Sequence, residues 1–207
     1  MTDQVYAELR RRLLFGVLKP GEKISARSLG RTMGVSLTPA RDAIARLVRE
    51  GAIDVSATQM FSVPSLGKAR YREIARLRLI LEPLAVELAS LSFSEDLADE
   101  LEMLNEEMRA NNTAESYDEA LHLDAKFHLA LYDATESSDL RRLIDGLWLL
   151  VGPTRTQLPF AYRQRESGYA HHCDIIAAIR MGDVVAAKEA LTRDLTRGVN
   201  EILEILD

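Results

Sequence analysis

Four residues carry the chemistry that stands out first. Asp124 and His128 are four apart, Asp-x-x-x-His, so on a helix their side chains lie one turn apart on the same face. Alone, such a pair is an ordinary surface feature. His172 and Asp194 add to it, because they flank Gly182, ten residues before it and twelve after. If Gly182 is the tip of a helical hairpin, the two sit roughly 15 and 18 Å from that tip at about 1.5 Å per residue. They then stand at nearly the same height on adjacent helices. Two nitrogen and two oxygen donors converging inside a bundle can bind a divalent ion and leave positions open for water or an anion.

A second group of residues is basic. The first 66 residues hold ten Lys/Arg against six Asp/Glu, a net +4, whereas the remainder holds sixteen against twenty-six, a net −10. A basic head on an acidic body is the asymmetry expected when one part of a chain meets a polyanion. Arg41 lies near the start of a helical stretch, where an arginine can bridge guanine O6 and N7. Ser36 and Thr38 sit where hydroxyls and free helix N–H groups can hold phosphate. Arg46 and Arg49 project from the same stretch, toward DNA or simply toward water.

The elements that must position these residues follow from periodicity. In the head, Val5, Tyr6, Leu9, Leu13 and Leu14 make a helical stripe, stopped by Gly16 and Pro20-Gly21. Ser25 can cap a second helix over Ala26–Met33, ended by Gly34. Ser36 can cap a third, with Pro39 in its first turn, a buried face of Ala40, Ala43, Ile44, Leu47 and Val48, and Gly51 as its stop. Two β-prone pieces, 52–55 and 60–63, close the head as a hairpin. Helix, short helix, tight turn, longer helix and hairpin is the pattern of a winged helix-turn-helix.

From residue 67 on, strand signals nearly vanish. Helices are expected over Tyr71–Leu91, Leu97–Met108 (capped by Ser94), Ser116–Ala134, Leu140–Val151 (stopped by Gly152-Pro153), Arg163–Met181 and Asp183–Leu206. On the first, Ile74, Leu77, Leu81, Leu84, Ala85 and Leu88 have core spacing. The expected fold is therefore mainly all-α, with a winged helix-turn-helix domain at 1–66 and an antiparallel helical bundle at 67–207.

Composition narrows the class further. The single cysteine, Cys173, excludes an intramolecular disulfide and a multi-cysteine zinc site. No apolar run is long enough for a membrane span and the first residues are charged, so a cytoplasmic protein with no membrane partner is expected.

The head resembles the GntR family of bacterial transcription regulators. The matching residues are Pro20-Gly21-Glu22, Leu29, Gly34-Val35-Ser36, Thr38-Pro39-Ala40-Arg41-Asp42-Ala43-Ile44, Leu47 and Glu50-Gly51. The resemblance implies dimeric binding to a double-stranded operator, with Arg41 at a base-contacting position and Arg27 at another contacting position, there suited to phosphate. Two departures stand out. Leu37 stands where many relatives have a basic residue, and the hairpin tip, 57–60, lacks the glycine usual in the family's wing. Both point to an operator unlike the common family sites, and the second argues against minor-groove contact.

The body resembles the all-helical FCD effector domain of the FadR branch of that family. Arg78 with Leu81-Glu82-Pro83, Asp124-x-x-Phe127-His128, His172-x-x-Ile175-x-x-Ala178, Gly182-Asp183 and Ala187 carry the match. Many such domains hold a metal with one Asp and three His. The resemblance assigns Asp124, His128 and His172 as ligands and puts Asp194 at the position usually filled by a fourth, histidine ligand. Zinc, nickel and manganese all suit the set. The resemblance also gives Arg78 a place facing the effector cavity, where it could clamp a carboxylate. It implies a homodimer that answers to a small carboxylate, with repression relieved by that ligand.

Remaining groups have plainer readings. His171 points about 100° away from His172, His122 faces away from Asp124, Cys173 suits a small buried hydrophobe, and Trp148 and Tyr162 line a pocket or fill the core. Two other functions compete with the regulator. A metalloenzyme would need a spare general base, which is not evident, and would leave the basic head idle. A metal-free dimerisation module would make the Asp/His geometry a coincidence.

Overall fold

The computed structural model describes residues 1–89, 92–163 and 167–207, with the side chains of 163 and 167 set aside. It divides into two compact units. The first comprises residues 1–66 together with 148–156, and the second comprises 67–147 and 157–207. Residues 148–156 are thus a departure from the expected division, which leaves them in the second domain.

The first unit contains α1 (Thr2–Leu14), β1 (Lys23–Ile24), α2 (Ala26–Met33), α3 (Leu37–Arg49), β2 (Asp54–Val55) and β3 (Phe61–Ser62). Ser25 caps α2 by accepting from the Ser28 N–H at 3.3 Å, and Gly34 ends it in the left-handed region at φ 65°. Gly30 is required by close approach, because a Cβ there would meet the Val35 carbonyl oxygen at 2.9 Å. The sheet is antiparallel in the order β1-β3-β2, with Ile24 and Val55 both opposite Phe61. The strands are shorter than the expected hairpin arms, and β1, only two residues long, gave no periodicity to read. Leu9 and Leu13 of α1, Ala40, Ala43, Ile44 and Leu47 of α3, Ile53, Val63 and Leu149 form one buried core. Val48 is only partly buried at its edge.

Leu149 belongs to α7 (Ser138–Arg155), which runs through Gly152-Pro153 instead of stopping there. A Cβ at residue 152 would lie 2.3 Å from the Leu13 carbonyl oxygen. The glycine thus serves the packing of two backbones and not a helix end.

The second unit holds α4 (Lys68–Ala89), α5 (Glu95–Ala110), α6 (Tyr117–Asp133), the first half of α7, the short α8 (Phe160–Arg163), α9 (Ser167–Met181) and α10 (Val184–Ile205). The expected end of the first of these helices at Leu91, and residues 164–166 of the expected Arg163–Met181 helix, lie outside the described residues. Ser94 and Asp183 cap α5 and α10 by accepting the N–H groups of Leu97 and Ala186. Gly182, at φ 66°, turns the chain between α9 and α10, which pack against each other. α10 also packs on α4, and α5 on α6 and α9. One expectation fails on α4. Leu77, Leu84 and Leu88 are exposed, together with Ile80, and the buried face is Ile74, Ala75, Arg78, Glu82, Ala85, Val86 and Ala89. Tyr71 and Pro83 are buried on the same face, which pairs Arg78 with Glu82, while Leu79 and Leu81 are half-buried and Leu77, Leu84 and Leu88 turn outward.

Candidate functional site

In the first unit the basic residues divide into two kinds. Arg11 and Arg12 are tied to Glu8, at 2.9 and 2.7 Å. Arg46 lies over the Tyr6 ring at 3.7 Å and pairs with Glu50 at 3.3 Å, while the Tyr6 hydroxyl donates to the same carboxylate at 2.7 Å. Arg46 is therefore committed to a contact that ties α1 to α3. By contrast, Arg27, Arg41 and Arg49 are exposed and have no ion pair or hydrogen bond among the described residues. Arg27, Arg41 and Lys23 line one cleft of about 580 Å³ between the N-terminal ends of α2 and α3 and the wing.

Ser36 occupies the N-cap of α3, yet its side chain makes no capping bond. The third helical residue is Pro39, which has no N–H to offer, so one of the two usual capping donors is missing. The Ser36 and Thr38 hydroxyls are exposed at the positive end of the helix, beside N–H groups that have no intrahelical acceptor. At the wing tip Gln59 takes φ 62°, the left-handed conformation that a glycine would adopt freely. Ser56 braces it, its backbone pairing with Met60 and its hydroxyl accepting the Met60 N–H at 3.1 Å.

In the second unit α6, α9 and α10 bring all four expected donors together. Asp124, His128 and His172 each offer an atom within 4.8 Å of the others. His128 Nε2 stands 3.2 Å from Asp194 Oδ2, and His172 Nε2 stands 3.9 Å from the same oxygen and 4.0 Å from Asp124 Oδ1. Ligands about 2.0–2.2 Å from a shared ion lie about 3.0–3.5 Å apart, so a small contraction closes this set around a metal.

The outer ring of contacts orients both imidazoles. Tyr132 donates its hydroxyl proton to Glu82, so its oxygen is left to accept from His128 Nδ1 at 3.3 Å. Asn105 donates its amide to the Tyr169 carbonyl at 3.3 Å, which turns its Oδ1 toward His172 Nδ1 at 3.1 Å. With Nδ1 as the donor in each ring, both Nε2 lone pairs point at two carboxylates. That arrangement asks for a cation at its centre, and the residues fit a divalent metal. Phe127 stacks on the His172 ring, centroids 3.9 Å apart and planes 3° from parallel, which fixes its tilt. Burial pushes the Asp194 carboxyl up; when the facing imidazoles carry a second proton instead, His128, His171 and His172 outweigh burial and hold the carboxyl well below its usual range.

Arg78 turns its fork toward Glu82. It is buried and paired with Glu82 through Nε at 2.6 Å and an NH2 contact at 3.3 Å. Burial alone would lower its pKa, yet Glu82 holds it above its ordinary value. Sequence reasoning missed Asn105, Glu82 and Tyr132. Asn105 stands in register with the Leu101 and Met108 stripe of its helix, which marks it as core-facing, but the partners that give these residues their role come from other helices. His171, expected to look away, reaches the other Asp194 oxygen at 3.6 Å.

Comparison with known proteins matches residues 1–60 to the gntR family of bacterial regulatory proteins and residues 73–197 to the FCD domain. Over 154 residues the chain is 36% identical to the HTH-type transcriptional regulator McbR of Escherichia coli (strain K12), covering 74% of this chain and 69% of that protein. The uncharacterized HTH-type transcriptional regulator YdhC of Bacillus subtilis (strain 168) is 28% identical over 210 residues, 99% of this chain and 92% of that one. The solved structure of E. coli McbR/YncC superposes with a TM-score of 0.89 at 28% identity over 98% of this chain and 97% of that one. A putative transcriptional regulator GntR from Rhodococcus sp. RHA1 shares the fold at a TM-score of 0.83 and 20% identity, over 100% and 99% of the two chains.

A winged helix-turn-helix joined to a helical effector bundle defines a class of DNA-binding regulators. The chain belongs to the GntR family and carries an FCD domain; it is a transcriptional regulator and not an enzyme, which sets the metalloenzyme alternative aside. No described helix is long and apolar enough to cross a membrane.

Proposed function

We propose that this regulator binds a palindromic operator as a homodimer in the cytoplasm and represses transcription until a small carboxylate effector releases it. The observation that carries the reading is the uncommitted pair Arg27 and Arg41 on one open cleft with Lys23, beside the free N-terminus of α3. Arg41 takes the base-reading role, bridging guanine O6 and N7. Arg27 and Arg49 contact phosphate, and Ser36 and Thr38 hold another phosphate at the helix N-terminus.

The dimer is supported by α4, whose Leu77, Ile80, Leu84 and Leu88 form an outward apolar stripe with Ile80 65% exposed. A two-fold pairing of that stripe gives the protein the dyad that a palindrome requires. In the second unit, Asp124, His128, His172 and Asp194 hold a zinc, nickel or manganese ion. When bound, the ion supplies open coordination positions for an anionic ligand. Arg78 serves the effector site indirectly, through the chain Arg78–Glu82–Tyr132 that ends on His128. The effector acts by binding one arrangement of the dimer better than the other, since equal affinity shifts nothing.

The test is a titration of duplex DNA from the gene's own neighbourhood at fixed salt, with the wild type and Arg41→Ala. Loss of a bidentate guanine contact costs about 1–3 kcal/mol, so a weakening of about 5- to 150-fold is expected. Equal binding by the two proteins would remove the base-reading role and the reading built on it.

A further inference from the structure

The cleft between α2, α3 and the wing contains a residue whose chemistry does not match its charged neighbours. Leu37 is the first residue of α3, it lines the cleft with Arg27, Arg41 and Met60, and it is 46% exposed. Met60, on the wing side of the same cleft, is 45% exposed. A phosphate-binding surface has no use for an apolar side chain at its centre, and the core of this unit does not take it in. In the major groove, however, one feature rewards an apolar contact, the C5-methyl group of thymine.

Geometry favours that partner. Leu37 and Arg41 are four residues apart, so they share a face and stand about 6 Å apart along the helix axis. Base pairs are stacked at about 3.4 Å, which puts Leu37 one or two steps from the guanine that Arg41 would bridge. We propose that Leu37 is a specificity-determining residue that reads a thymine methyl beside the guanine contacted by Arg41, with Met60 closing the apolar contact from the wing side.

This inference rests on the DNA-binding reading given above, so the experiment separates the two. An operator is selected from a random duplex library with the full-length wild-type chain. Each thymine of one half-site is then replaced by uracil, which removes the methyl and nothing else. Binding is measured for the wild type and for Leu37→Ala, an exposed helix-start change that spares the core. The expected result is one position, one or two steps from a conserved guanine, where uracil weakens the wild type about fourfold, as for one buried methyl carbon. At that position Leu37→Ala binds thymine and uracil operators equally. A second variant, Leu37→Arg, reselects an operator with guanine in place of that thymine. If every uracil substitution affects the two proteins alike, or none affects the wild type, the role of Leu37 is overturned while DNA binding stands. If selection with the wild type enriches no sequence, the DNA-binding reading fails and this one falls with it.

Discussion

At the residue scale, what separates a working side chain from a structural one is its partner. Arg46 and Arg41 lie on the same helix, five residues apart. Arg46 is engaged by Tyr6 and Glu50, whereas Arg41 faces an open cleft with no side-chain partner among the described residues. Sequence spacing put both on the outer side of α3; Glu50, four residues after Arg46, was a local sign of its pairing, but the Tyr6 ring comes from α1 and could not be read from α3. The convergence of the four candidate donors was legible for the opposite reason. The i, i+4 rule and nearly equal distances from Gly182 depend only on helix geometry, so Asp124, His128, His172 and Asp194 stood out as candidates without any contact being known. Asn105 and Tyr132 were not found, because their role exists only once α4, α5, α6 and α9 are packed. Wild-type protein is expected to carry a stoichiometric divalent ion. His128→Ala and His172→Ala should lose it, and Asn105→Ala should bind it about 10- to 100-fold more weakly. Elemental analysis and a zinc titration at neutral pH measure this, and equal metal content in all four proteins would exclude these ligands.

At the scale of elements, the surprises share one cause, which is that glycine and leucine answer to neighbours that the local sequence does not show. Gly152-Pro153 reads as a helix stop, yet α7 continues because Gly152 admits the α1 backbone. The leucines of α4 read as core, yet they face outward because Arg78 and Glu82 satisfy each other inside. By contrast α2, α3 and the turn between them were legible to within a residue, since Ser25, Gly34 and Pro39 mark their ends by local chemistry. α1 supplies a pH-dependent test. Hydrogen bonds and charge from Arg11, and then Arg12, draw the Glu8 carboxyl down to about 2 against the opposing effect of partial burial. A carboxylate whose pKa is depressed by folding stabilises the fold fully above its unfolded value of about 4.5, and that contribution disappears as pH falls toward 2. Glu8→Gln should therefore lower thermal stability at neutral pH and flatten the decline between pH 4.5 and 2. An unchanged pH profile in that variant would show that Glu8 contributes nothing.

At the scale of the whole molecule, function was written in the split of charge and pattern between the first 66 residues and the rest. A net +4 beside a net −10 made a polyanion partner for the head the economical reading, and the helix-turn-helix pattern gave that charge a shape. What the sequence could not express is how two chains meet, because a stripe that faces a partner has the same periodicity as one that faces a core. Ile80→Glu places a charge in the middle of the α4 stripe and should convert dimers to monomers, read by sedimentation. Operator affinity should fall with it, since each head then binds alone. A dimer that survives the change would move the interface elsewhere.

The proposed reading of DNA turns on α3 presenting Arg41 to the edge of a guanine. Methylation interference on a selected operator tests it most directly, because a methyl on guanine N7 blocks one arm of the bidentate contact and leaves the phosphates untouched. N7-methylation of one guanine per half-site should exclude the wild-type protein, whereas Arg41→Ala, binding more weakly, should be indifferent to it. Equal sensitivity of both proteins to methylation of the same guanine, or no sensitive guanine at all, would rule out the contact between Arg41 and guanine.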